Sequence, residues 1–180
     1  LGNRFHACAK LWERGWNDQL GTVPPEITAK VGADMAEQYP QKRLIVHFLQ
    51  PHYPFIGETG RSIDQRAPSG EGIVNVNEEI QSIWVQLQQG DISEDVVRHA
   101  YDENLKEALP AVNELVNDLK GKTVITSDHG NAFGKYGVYG HPARRFLEEL
   151  VKVPWHIPDF NDRKEATAGQ LDEGDITSAD

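Results

Sequence analysis

The chain is short of cysteine, of basic charge and of long apolar runs, and each shortage excludes something. Its one cysteine among 180 residues, Cys8, can form neither an internal disulfide nor a Cys-x-x-Cys pair, so a reducing, cytoplasmic setting is expected. No stretch reaches the roughly 18 consecutive apolar residues that cross a bilayer, and the mean hydropathy is -0.56, so no membrane partner is expected. The opening residues, LGNRFHACAK, lack the apolar segment of a secretory leader. With 18 Lys and Arg against 28 Asp and Glu, the net charge of -10 repels nucleic-acid phosphates, and nucleic acid is set aside as a partner. What is present suffices for a single domain, since 38% of the residues are hydrophobic. The first residue is Leu1 rather than Met, and the stretch is expected to be a piece of a longer polypeptide.

The acidity is uneven. Residues 159–180 hold seven acids against Arg163 and Lys164, which reads as a solvated, disordered tail behind a domain of residues 1–158. Within that domain, Glu26 to Tyr39 places Ile27, Val31, Met35 and Ala36 at helical spacing behind Thr22-Val-Pro-Pro, with Pro40 as its stop. Arg43 to Leu49 is a short apolar run of the type found in strands covered on both faces. It leaves through Gln50-Pro-His-Tyr-Pro54, where two prolines impose a fixed loop. Residues 57–76 read as a long loop, and 77–89 as a helix. From Ser93 to Leu119 an apolar stripe runs at 3.6 spacing, with Ser93 as cap, Gly121 as stop and Pro110 as an expected kink or division. A second buried-strand run, Lys122 to Thr126, follows. Strand, loop, helices and strand in that order predict an α/β fold with a mainly parallel sheet flanked by helices.

In such a sheet the ligand cleft lies beyond the carboxyl ends of the strands, and here both runs exit into loops that carry histidine. Asp128 and His129 point to opposite faces of a pleated strand, so serving one ion requires a turn, which Gly130 permits. A carboxylate beside an imidazole suits Zn, Mn or Fe better than Mg. The plainer alternative makes Asp128 a cap and His129 a surface side chain. Gly134, Gly137 and Gly140 deliver His141 one loop later, and His141 by itself is as compatible with solvent as with a ligand role. His52, pinned between prolines, has little packing purpose and is a functional candidate. His47, inside the strand run, reads as a hydrogen-bonded core histidine, and His6, His99 and His156 as structural.

Six segments in order resemble a known family. Thr123-Val-Ile-Thr-Ser-Asp-His-Gly130 followed by Phe133-Gly134, then Tyr139-Gly-His-Pro142, then Glu148-Glu-Leu-Val-Lys-Val-Pro-Trp155, with Val46-His-Phe-Leu-Gln-Pro-His-Tyr-Pro-Phe55 upstream and Ala100-Tyr-Asp-Glu-Asn-Leu105 between, are similar to the C-terminal portion of the sulfatase-like branch of the alkaline phosphatase superfamily, in its acidic archaeal form. The resemblance implies an alkaline-phosphatase-like sheet. It also implies a divalent metal (Zn, Mn or Ca) on Asp128 and His129, and contacts from His52 and His141 to the sulfuryl or phosphoryl group or the leaving oxygen of a small anionic ester. Asn131 stands where the family commonly has Glu, and Lys135 does not align with the family lysine.

The family's aspartate pair and its Cys, Ser or Thr nucleophile have no counterpart in residues 1–43. Cys8 lacks the neighbouring proline and arginine of the nucleophile motif and reads as a small hydrophobe, and Thr22 reads as a helix cap. The expectation is therefore a portion of a metal-dependent sulfate or phosphate ester hydrolase without its nucleophile segment. The alternative is a binding or assembly module that keeps the fold and half of the metal site.

Overall fold

The structure, a computed structural model, describes residues 5–63, 65, 82–161 and 165–167. Among the described residues five α-helices carry most of the order: α1 (Pro25–Gln38), α2 (Glu58–Ser62), α3 (Ile83–Gln89), α4 (Glu94–Asp118) and α5 (Glu148–Val151). Four two-residue strands join them, β1 (Ile125–Thr126), β2 (Ala132–Phe133), β3 (Tyr139–Gly140) and β4 (Trp155–His156). The fold is mixed α/β. Its strands form two antiparallel pairs, β1 with β4 and β2 with β3, where a mainly parallel sheet was expected.

The reason for the difference lies in the two apolar runs. Residues 43–49 belong to no strand pair among the described residues, and only the last two residues of 122–126 are paired. The 43–49 run is also covered on one face only. Val46 and Phe48 pack on a small core of Ala29, Ala111 and Leu115, whereas Ile45 and Leu49 are exposed. His47 lies on that same open face, so it is a surface residue and not the core histidine that the run suggested.

α4 is the spine of the molecule, 25 residues long, with the Ser93 hydroxyl accepting from the Val96 amide at its start. Pro110 neither ends nor divides it. An interior proline forfeits one backbone bond and crowds the preceding turn at a cost of about 3 kcal/mol, and buried Ala108, Ala111 and Leu115 hold the helix on both sides of it. The C-terminal half of α4 packs on α1, which buries Thr28, Ala29 and Gly32 rather than the larger apolar residues Ile27, Val31 and Met35. Small residues there let the two helices approach closely. The N-terminal half builds the main core with Phe55, Ile83, Trp84 and Leu87, together with its own Val97 and Ala100.

α2 lies inside the stretch expected to be a loop, and Glu103 of α4 fastens it by accepting from the Thr59 amide at 2.8 Å. α3 starts at Ile83 with Ser82 as its cap, while residues 77–81 of the expected helix lie outside the described residues. Most of the acidic tail does too. Thr167, one of its described residues, bonds to Gln41 through both its amide, at 2.8 Å, and its hydroxyl, at 3.2 Å. No helix among the described residues is long and apolar enough to cross a membrane.

Candidate functional site

Three histidines from separate loops meet beside α4. The loop after residue 49 carries His52 between Pro51 and Pro54, both joined through cis peptide bonds. Its anchor is Asn104, a fully buried side chain on α4. The Asn104 amide donates to the His52 carbonyl at 2.9 Å and its oxygen accepts from the Ile56 amide at 3.1 Å, so both ends of the loop are tied to one helix position. Nothing in periodicity marks Asn104, although it lies within the 100–105 motif.

Asp128 and His129 follow β1. Gly130 does not have a positive φ, so its role differs from the turn expected of it. Its amide donates to the Leu150 carbonyl at 2.9 Å, and a β-carbon at this position would lie 2.0 Å from the Glu149 carbonyl oxygen. The glycine is there because α5 passes against the backbone, which locks the Asp128–His129 turn to the 148–151 segment. The β2–β3 hairpin then returns the chain to His141, with Gly134, Gly137 and Gly140 all at positive φ.

The rings of His129 and His141 stack with centroids 4.3 Å apart, and His52 meets His141 edge-on at 5.2 Å. Each histidine has its Nδ1 against an oxygen: His52 on the Tyr53 carbonyl, His129 on the Gly130 carbonyl at 2.9 Å, and His141 on Asn131 Oδ1 at 2.8 Å. Carbonyl oxygens only accept, so each ring carries a proton on Nδ1, and a neutral ring held in this way has its lone pair on Nε2. Asn131 is itself steadied by donating to the Tyr101 hydroxyl at 3.4 Å. Asn131 thereby sets the tautomer of His141.

Burial pushes the His52 imidazole below its ordinary value of 6.5, helped by the neighbouring His129 and opposed by the Tyr53 carbonyl bond and Asp128. His141 is pushed down as well, by burial first and then by His129 and His52, with Asp128 opposing. Both rings are therefore neutral acceptors at neutral pH.

The donor set can be tested against a divalent ion. His129 Nε2 lies 3.7 Å from Asp128 Oδ2, a separation that two metal bonds of about 2.0–2.1 Å can span. Asp128 and His129 thus fit as one part of a metal site. Among the described residues no group of three His, Cys, Asp or Glu side chains is disposed to share an ion. Of the four other histidines, His6 edges onto Tyr39, His99 pairs with Glu103 at 3.1 Å, and His47 and His156 are exposed. Cys8 is exposed rather than a buried hydrophobe.

Comparison with protein-family models, curated proteins and solved structures finds no significant match to this chain.

Proposed function

We infer that the chain is the metal-and-anion half of a sulfate or phosphate ester hydrolase of the sulfatase-like type, with Asp128 and His129 as metal ligands and His52 and His141 facing the ester. The observation that carries this reading is the clustering of the three imidazoles, each with Nδ1 committed to an oxygen so that Nε2 is the nitrogen left for a ligand, beside the Asp128 carboxylate. Metal-bound histidines owe their orientation to this kind of outer hydrogen bond. On the same reading, residues 43–49 and 122–126 are strands of the family's parallel sheet, and the exposed Ile45 and Leu49 support it, being apolar side chains on an uncovered face.

When bound, a divalent ion would neutralise ester oxygens and lower the pKa of an attacking group. The chain's own residues do the rest. As neutral rings, His52 and His141 cannot donate from Nε2, but an anionic ester between them favours the imidazolium, and each ring then takes up a proton and donates it to a nonbridging or leaving oxygen. Asn131 holds His141 in position for that exchange, and Asn104 holds the loop that bears His52.

The test is a histidine nitrogen NMR titration of the chain. Inorganic phosphate should raise the titration points of His52 and His141, and zinc should shift Nε2 of His129 weakly, with the zinc effect lost in Asp128→Ala. With no counterpart to the family nucleophile, turnover of an aryl phosphate or aryl sulfate by these 180 residues should stay near background. Efficient hydrolysis that survives Asp128→Ala, or no response of the three histidines to either probe, overturns the reading. A cluster that binds phosphate yet ignores metal favours the binding-module alternative.

A further inference from the structure

A cleft of about 610 Å³ lies between the start of α4, the end of α3 and the β2–β3 hairpin, a size usual for small-molecule sites. Its apolar walls are Leu87, Ile92, Phe133 and Tyr139, and its charged rim carries Arg98 and Lys135 with Glu94. These apolar residues either belong to the main core or pack against it, so the cleft is an open continuation of that core.

Two elements lead from this cleft to the histidines. In the hairpin Phe133 pairs with Tyr139 and Ala132 with Gly140. Asn131 and His141 lie one residue beyond these pairs, joined to each other by the bond between His141 Nδ1 and Asn131 Oδ1 at 2.8 Å. On α4, Arg98 in the cleft is one turn before Tyr101, whose ring meets Phe133 at 5.6 Å and whose hydroxyl accepts from Asn131. Cleft and cluster therefore share a floor.

The charges of the rim are specific. Arg98 lies 4.2 Å above the Phe133 ring, and its bond to Glu94 at 2.6 Å uses Nε. The two terminal nitrogens of the fork have no other partner among the described residues, and they are donors suited to a carboxylate. The other cation of the rim, Lys135, is paired with Glu149, which leaves the terminal nitrogens of Arg98 as the anion-binding donors of the cleft.

We propose that this cleft binds the far end of the ligand, a planar apolar body bearing a carboxylate that Arg98 holds while the body lies along Tyr139 and Ile92. The proposal deepens the hydrolase reading and rests on it for the near end alone: it makes the preferred ester bifunctional, with the sulfate or phosphate at the histidines and a carboxylate at Arg98.

The experiment compares 2-naphthoate, the neutral 2-naphthamide, and 2-naphthoate bearing a phosphate ester at ring position 6, by NMR titration of the chain. Binding of 2-naphthoate should weaken about tenfold in Arg98→Gln, equivalent to about 1.4 kcal/mol, while 2-naphthamide should bind weakly and equally to both proteins. Arg98 is half exposed, so this variant keeps the core. His141→Ala should leave 2-naphthoate unchanged and cancel the extra affinity gained from the phosphate group. If 2-naphthoate does not bind, or binds Arg98→Gln equally well, the cleft proposal is overturned whatever the histidines do. If it binds as expected and the phosphate adds nothing, the cleft stands as a carboxylate site and its link to the cluster falls.

Discussion

Neutral histidine exists as two tautomers, and which one a ring adopts depends on its hydrogen-bond partner. At His141 that partner is a side chain, Asn131, while His52 and His129 lean on backbone carbonyls that no substitution removes. Asn131 is therefore the one point at which a mutation can release a ring without touching it. In Asn131→Ala the Nδ1–H form of His141 should lose its dominance, visible in the nitrogen shifts of that ring, and phosphate affinity should fall by about 10-fold or more, the lower end for loss of such an orienting partner. Asn131→Asp should keep the Nδ1–H form and raise the His141 titration point, because the carboxylate both accepts the bond and adds an opposing charge. An unchanged tautomer in Asn131→Ala would mean that ring stacking alone orients His141.

Between elements, two neighbouring residues of α4 do most of the fastening. Asn104→Leu leaves the His52 carbonyl and the Ile56 amide unpartnered in a buried place, each costing about 1–3 kcal/mol. Urea unfolding should register a loss in that range or above, and the His52 ring signals should shift more than those of His129. Glu103 ties α2 to α4 and is held below its ordinary value of 4.5, first by the Thr59 amide bond and further by His99, with burial opposing. Since its pKa falls on folding, the unfolded chain binds the proton more readily, and the stabilisation is present above about pH 4.5 and lost as the pH drops through the lower folded value. Amide exchange in α2 should accelerate in that acid window, and Glu103→Gln should remove the pH dependence there. Exchange in α2 that ignores acid would assign its docking to packing alone.

Across the whole molecule, one long helix serves two cores. The N-terminal half of α4 holds the main core and with it the cluster and the cleft, and the C-terminal half holds α1 against the 43–49 run. Leu115→Ala should cost about 2–5 kcal/mol, as large-to-small changes in cores do. Its effect should also be local, with amide exchange speeding up in α1 and after residue 108 before it does in the β2–β3 hairpin. Uniform acceleration throughout the chain would show instead that the two cores open as one unit.

Local chemistry determined much of this protein from sequence alone. α1 and α4 follow from apolar spacing with proline and serine at their starts, because those signals act within a few residues. The loops bearing His52, Asp128, His129 and His141 were legible for a similar reason: prolines and glycines punctuate the chain wherever they fall. What periodicity cannot express is the identity of the neighbour. The tertiary structure decided that the 43–49 run is covered on one side, that β1 pairs antiparallel with β4, and that α1 buries its small residues instead of its large ones. It also decided that Gly130 serves the approach of α5, and that Asn104, Asn131 and Tyr101 orient the cluster. Asparagine has no preferred apolar period, so a buried one becomes visible only when the backbone groups it satisfies have been brought to it from elsewhere in the chain.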